Sequence, residues 1–217
     1  MRVSVVENIL GANEQIAAAN RELFSEKGVF AVNVMAGPGA GKTSLIERTI
    51  EAVREQVRIA VIDGDLASTI DADRIARLGI PAVQINTGGA CHLDANMVRS
   101  ALDQLPLGET DLLFLENVGN LVCPTGFALG ANLKMMISST AEGDDKPYKY
   151  PGMFSAVDVL VLNKVDLLPL LDFDVGYFRR GVEALNPDLA FFAVSCKTGE
   201  GIYAWTEWLL AERARRK

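Results

Sequence analysis

The stretch Gly37-Pro-Gly-Ala-Gly-Lys-Thr-Ser44 has the residue types of a phosphate cradle. Glycines let a backbone wrap an anion with its N–H groups turned inward. Lys42 is placed to reach β- and γ-phosphates, and Thr43 to give its hydroxyl to Mg²⁺. The apolar run Val29–Met35 precedes the loop and a helical pattern over Lys42–Gln56 follows it. This is the strand–loop–helix setting that a P-loop needs, with a helix N-terminus behind the anion. Gly37, Gly39, Ala40, Gly41 and Ser44 complete the cradle. Ala36 holds the position where the usual pattern has its first Gly.

Two acids stand where phosphate chemistry would use them, at the ends of apolar runs. Asp65 follows Val57–Ile62. It is read as a Mg²⁺ ligand, directly or through water, or as the residue that positions the attacking water. Glu116-Asn-Val-Gly119 closes the run Asp111–Leu115 and resembles a D-x-x-G element with Glu in place of Asp. Gly119 would offer its N–H to a γ-phosphate. Helix capping and solvation are the plainer roles for either acid. Catalysis would thus rest on Lys42, Asp65, Glu116 and Gly119.

Asn163-Lys-Val-Asp166 has the chemistry of a guanine reader. The Asp166 carboxylate can accept from the ring N–H and the exocyclic amine of guanine, whereas adenine presents an acceptor that leaves it repelled. Asn163 suits the other edge of the base, and the Lys164 stem suits one face of the ring. Downstream, Ser195-Cys196-Lys197 resembles the S-A-K loop that faces guanine O6. Cys196 itself reads as structural.

Cys91-His92 lies just after Gly88-Gly89, and Cys123 lies a few residues past Gly119. Thiolate and imidazole suit Zn²⁺ and Ni²⁺. A buried Cys and a lone His also serve as plain packing, so chemistry alone leaves both readings open. As metal ligands they would form an incomplete tetrahedral site, which a two-fold dimer would complete. Placed so near the γ-phosphate segment, Cys123 would move when that phosphate is lost.

These residues need a frame to hold them. Helical spacing covers Val5–Lys27, through Ile9, Ile16, Leu23 and Phe24. Strands are predicted over Val29–Met35, Val57–Ile62, Pro81–Ile85, Asp111–Leu115, Asn132–Ser138, Val157–Leu162 and Leu189–Val194. Helices are predicted over Lys42–Gln56, Asp71–Leu78, about His92 to Leu105, Gly176–Leu185 and Gly201–Arg215. Short apolar strands alternating with helices predict a single α/β domain over residues 1–217. It would be a three-layer α/β/α sandwich with a mainly parallel sheet and an N-terminal helix at about 5–27. Gly143–Pro151 is the one long polar insertion and reads as a mobile loop or part of an interface. Its Lys146 and Lys149 are either solvated charges or groups reaching across a dimer.

Composition narrows the function. The 217 residues are 49% hydrophobic and 23% charged, as in an ordinary globular chain. A net charge of −7 argues against broad nucleic-acid or anionic-membrane binding. The apolar runs are strand-sized, too short to span a bilayer. The start Met1-Arg2-Val3-Ser4 lacks the features of a secretory signal, so a cytoplasmic setting is expected. Three cysteines do not make a disulfide framework.

With these residues in view, the chain resembles the HypB family of GTPases, which assist nickel insertion during nickel–iron hydrogenase maturation. The likeness runs over nearly the whole chain. It is carried by Asn13-Glu14, Asn20-Arg21, the phosphate loop, Asp63-Gly-Asp65, Cys91-His-Leu-Asp-Ala95, Glu116-Asn-Val-Gly-Asn-Leu-Val-Cys-Pro124, Glu142-Gly-Asp-Asp-Lys-Pro147, Lys149-Tyr-Pro151 and Asn163-Lys-Val-Asp-Leu167. The resemblance implies a SIMIBI-class P-loop domain, slow GTP hydrolysis and a GTP-favoured homodimer. It also implies a Ni²⁺ or Zn²⁺ site at the dimer interface from Cys91, His92 and Cys123. The implied partners are a HypA-like nickel protein and the hydrogenase large subunit. The Cys-rich nickel motif and His-rich tract of some relatives are absent, so nickel storage is not expected. Asn96 and Ser100 stand where some archaeal relatives have histidines, which favours one shared metal over a cluster. A UreG-like urease chaperone is the near alternative, but its motif is Cys-Pro-His, whereas Cys91 and His92 are adjacent. A GTP switch without metal delivery is the other alternative.

Overall fold

A computed structural model describes residues 5–66 and 70–216. The first four residues, read above for the absence of a secretory signal, lie outside them. Among the described residues, seven strands form one sheet in the order β3-β2-β4-β1-β5-β6-β7. They are β1 Phe30–Ala36, β2 Ile59–Asp65, β3 Ala82–Asn86, β4 Leu112–Glu116, β5 Leu133–Ser139, β6 Val159–Asn163 and β7 Ala190–Ala193. Every pairing is parallel. The helices are α1 Val5–Lys27, α2 Lys42–Val53, α3 Ile70–Ala76, α4 Ala95–Leu102, α5 Lys146–Lys149, α6 Pro151–Ser155, α7 Val175–Leu185 and α8 Ile202–Arg215. None is long and apolar enough to cross a membrane.

Parallel strands need both faces covered, and the alternation along β1 shows how. Phe30, Val32 and Val34 face a core shared with Leu45, Ile46 and Ile50 of α2 and Trp205 and Leu209 of α8. Ala31 turns to the opposite face, among Phe24 of α1 and Leu102 of α4. Met35 joins that face further along, with Phe154 of α6 and Phe178 of α7. The expected three-layer α/β/α sandwich is therefore the one observed.

The strand β1 pairs with both β4 and β5, so the sheet reverses its direction of growth there. Ligands of open parallel sheets bind at the carboxyl ends of strands beside such a switch point. The phosphate loop leaves β1 at that end, Glu116 closes β4, and Asn163 closes β6.

Three expectations are corrected. The second strand runs on through Asp63-Gly-Asp65, so the acids lie within it rather than after it. Helix α4 begins at Ala95, because Asp94 caps it by accepting from Met97 N at 2.7 Å; His92 stays in the preceding loop. The polar stretch Gly143–Pro151 holds the short helix α5 and the start of α6 instead of being a loop throughout. Pro147 is buried, and Pro147 and Tyr148 pack on α7 where Gly181 leaves room; a Cβ there would lie 2.8 Å from the Tyr148 ring. Tyr148 also stacks on Tyr177 at 4.5 Å. Lys149 pairs with Asp145, and Lys146 sits 5.8 Å from the Tyr150 ring.

Candidate functional site

The phosphate loop is built from left-handed glycines. Gly39 and Gly41 have φ of 75° and 103°, which L side chains adopt only with strain. Helix α2 starts at Lys42, so its first N–H groups face the loop. Thr43 donates its hydroxyl to Glu116 Oε1 at 2.8 Å. Glu116 is 2% exposed, and its Oε2 has no hydrogen-bond partner. Burial, then the Asp63 carboxylate, push the Glu116 carboxyl up to about 8, against the pull of Lys42 and Thr43. Gly119 approaches the loop closely; a Cβ there would lie 3.1 Å from Pro38 Cα.

Asp63 has no role of its own in the sequence reading, only a place in the family-like Asp63-Gly-Asp65 string. Strand register sets it opposite Glu116, and it is buried. Asp65 lies two residues along, on the same face by strand alternation, and is half-buried. The D-G-D string carried the signal, because two acids at alternate positions of a buried strand end point to one site.

The base side is tied to the same loop. Asn163 Nδ2 donates to Ala40 O at 3.0 Å, and its Oδ1 accepts from Lys164 N and Cys196 N at 2.7 and 3.2 Å. Lys164 takes a left-handed φ of 63°, the one non-glycine among the described residues to do so. Its carbonyl accepts from Thr140 Oγ1, and its Nζ donates to Gly39 O at 2.7 Å. Ser195 is fully buried and donates to Asp166 Oδ1 at 2.6 Å. Its side chain therefore holds the Asp166 carboxylate in place. The Cys196 thiol is pushed up to about 11 by burial, and its carbonyl accepts from Arg48 Nε at 2.7 Å, which fits a structural role. Beside these groups lies a cavity of about 530 Å³, lined by Gly41, Ser44, Arg48, Asn163, Lys164, Asp166, Leu167 and Lys197. That is ample for a nucleoside.

The ligand atoms of Cys91, His92 and Cys123 lie within 4.8 Å of one another, all half-buried. His92 Nδ1 is 3.7 Å from Cys91 Sγ, and its ring stacks on Phe127 at 3.8 Å. Burial lowers the His92 pKa against the opposing Asp94 charge, which favours the neutral, ligating imidazole. The Cys91 thiol is raised first by its hydrogen bond with Cys123 and then by burial. Helix α1 backs both ligand-bearing segments. Asn13 bonds Ala128 O and Ala95 N, and Asn20 bonds Ala95 O and Leu129 O. The structure thus joins Thr43 to Glu116, Asn163 to the phosphate loop and Ser195 to Asp166, and clusters Cys91, His92 and Cys123.

Known proteins resemble this chain in sequence and fold. A family model described as the CobW/HypB/UreG nucleotide-binding domain matches residues 31–193. The chain is 48% identical over 214 residues to the hydrogenase maturation factor HypB of Rhizobium leguminosarum, covering 99% of this chain and 72% of that one. Among solved structures, HypB from Helicobacter pylori in complex with nickel is similar with a TM-score of 0.90 at 36% identity, covering 94% of this chain and 96% of that one. HypB from Archaeoglobus fulgidus is similar with a TM-score of 0.88 at 40% identity, covering 94% and 99%.

Proposed function

Because this chain belongs to the HypB family of hydrogenase maturation factors, we propose that it binds and slowly hydrolyses GTP and uses that cycle to time the holding and release of nickel. The observation that carries this reading is continuity. One stretch of chain brings Glu116 to Thr43, Gly119 against Pro38 and Cys123 to Cys91 and His92.

In this reading GTP lies with its phosphates in Gly37–Ser44 and its guanine against Asp166, which Ser195 already holds in place. A divalent cation fits the phosphate side, where the unpartnered Glu116 Oε2 is an orphaned acceptor in a buried, acidic corner. Thr43, Glu116 and Asp65 would hold Mg²⁺, which when bound offsets negative charge on the β- and γ-oxygens. Lys42 and the loop N–H groups orient the γ-phosphate for in-line attack by water. Phosphoryl transfer needs positioning more than a strong base, and the described residues offer no obvious one, so intrinsic turnover is slow. Loss of the γ-phosphate relaxes Gly119 and its neighbours, and with them Cys123.

Nickel is the cargo. Two thiolates and an imidazole from one chain leave a tetrahedral site short of a ligand, and a second copy brought in by GTP supplies the rest. A HypA-like nickel protein and the hydrogenase large subunit are the partners on either side of this step. The test is nickel titration, with sedimentation, in GDP and in a non-hydrolysable GTP analogue, comparing wild type with Cys91→Ala. Wild type is expected to bind nickel and to dimerise with the analogue, and the variant to lose the nickel. Absence of binding, or binding indifferent to the substitution, leaves only a GTP switch without metal delivery.

A further inference from the structure

We infer that Asn120 is the positioning residue through which the phosphate loop sets the placement of both metal-binding cysteines. The inference rests on the reading of the chain as a nucleotide-timed nickel carrier, and it names the coupling element.

Asn120 makes four hydrogen bonds in three directions. Its backbone N–H donates to Ala36 O at 2.8 Å, at the residue where β1 enters the phosphate loop. Its side-chain Nδ2 donates to Cys91 O at 3.4 Å. Its Oδ1 accepts from Val122 N at 2.8 Å and from Cys123 N at 3.4 Å. One residue therefore touches the loop that holds phosphate and the backbones of both thiol-bearing residues, which come from different segments.

Its neighbours do not share this arrangement. Asn117 is fully buried and bonds Leu93 N, Val118 N and Asn33 Oδ1, which makes a fixed floor beneath the site. Phe127 fixes the His92 ring but contacts neither cysteine through a hydrogen bond. Asn120 directly follows Gly119, which lies against Pro38 of the phosphate loop. A γ-phosphate that shifts Pro38 or recruits the Gly119 N–H displaces the base of Asn120.

The bond lengths indicate which end responds. Both bonds to the cysteine backbones are at 3.4 Å, near the limit of useful geometry, whereas the bonds to Ala36 and Val122 are firm. A movement of a few tenths of an ångström at Asn120 changes both long bonds and so shifts Cys91 relative to Cys123. The separation of the two sulfurs, which decides whether one metal ion can be held by both, then follows the state of the loop.

The test uses the full chain and nickel alone as probe, read by the sulfur-to-nickel charge-transfer band, in Mg·GDP and in Mg with a non-hydrolysable GTP analogue. Wild type is compared with Asn120→Ala and Asn120→Asp. The aspartate keeps the acceptor for Val122 and Cys123 and loses the donor to Cys91. In wild type the two nucleotide states are expected to differ in nickel affinity by about fivefold or more. In both variants this ratio is expected to fall to within about twofold of unity, with a shifted band and unchanged GDP affinity. A ratio equal to that of wild type in either folded variant, or equal weakening in both states, overturns the inference and leaves the timing reading intact. A wild type whose nickel affinity ignores the nucleotide overturns both.

Discussion

Glu116 carries one satisfied oxygen and one buried without a partner, and its protonation follows from that. Its pKa in the folded chain is pushed from 4.5 up to about 8. Between those values the folded protein keeps a proton that the unfolded chain gives up, so stability falls as pH rises through that window. Without nucleotide or cation, the melting temperature is expected to decline from about pH 5 to about pH 8, and Glu116→Gln, which keeps the neutral shape, to flatten the decline. A melting series in metal-free buffer decides this; an unchanged slope in the variant would sink it. At this scale the sequence was largely legible. Motif spacing marked Lys42, Thr43, Glu116, Asn163 and Asp166 because their chemistry is local. Asp63 was not marked, because its importance comes from register against Glu116, which no single stretch of chain contains. Ser195 was marked only through its loop, and the fold adds that its hydroxyl bonds Asp166.

Among the elements, the strands were easiest to read, because runs such as Phe30–Ala36 are buried along their whole length. Boundaries shifted by a few residues where capping intervened, as Asp94 does for α4. The stretch Gly143–Pro151 was hidden by its polarity; what orders it is two rings and a proline against Gly181, a contact between distant segments. Asp111 shows how elements are pinned at the other end of the sheet. It accepts from Arg58 N and Nε at 3.1 and 3.0 Å, before β2, and from Arg213 of α8 at 2.9 Å. The Arg58 hydrogen bond, helped by Arg213, lowers its pKa to about 2. Asp111→Ala is expected to cost about 1–2 kcal/mol, discounted because Arg58 faces solvent. The urea midpoint should fall with an unchanged slope and unchanged GDP affinity; a midpoint equal to that of wild type would show the clamp to be idle. The contribution persists above the ordinary aspartate range and fades as pH falls toward 2.

For the whole molecule, a ligand that binds only the folded form must raise its stability. Saturation with Mg·GDP at a hundred times its Kd is expected to add about 2.7 kcal/mol, ADP at the same concentration almost nothing, and Asp166→Asn to erase the difference. Thermal melts with each nucleotide check this, and equal protection by ADP would refute guanine reading. The layered architecture and its single sheet were legible from alternation alone. The cluster of Cys91, His92 and Cys123 was expected through the family resemblance, and the fold brings their ligand atoms within 4.8 Å of one another. Chain order also has a meaning in time. The candidate base pocket closes when Asn163 bonds Ala40 across 123 positions of chain and Ser195 settles on Asp166. A ribosome releases the phosphate loop before these partners, so on the proposed reading a nascent chain cannot grip the base until Ser195 has emerged.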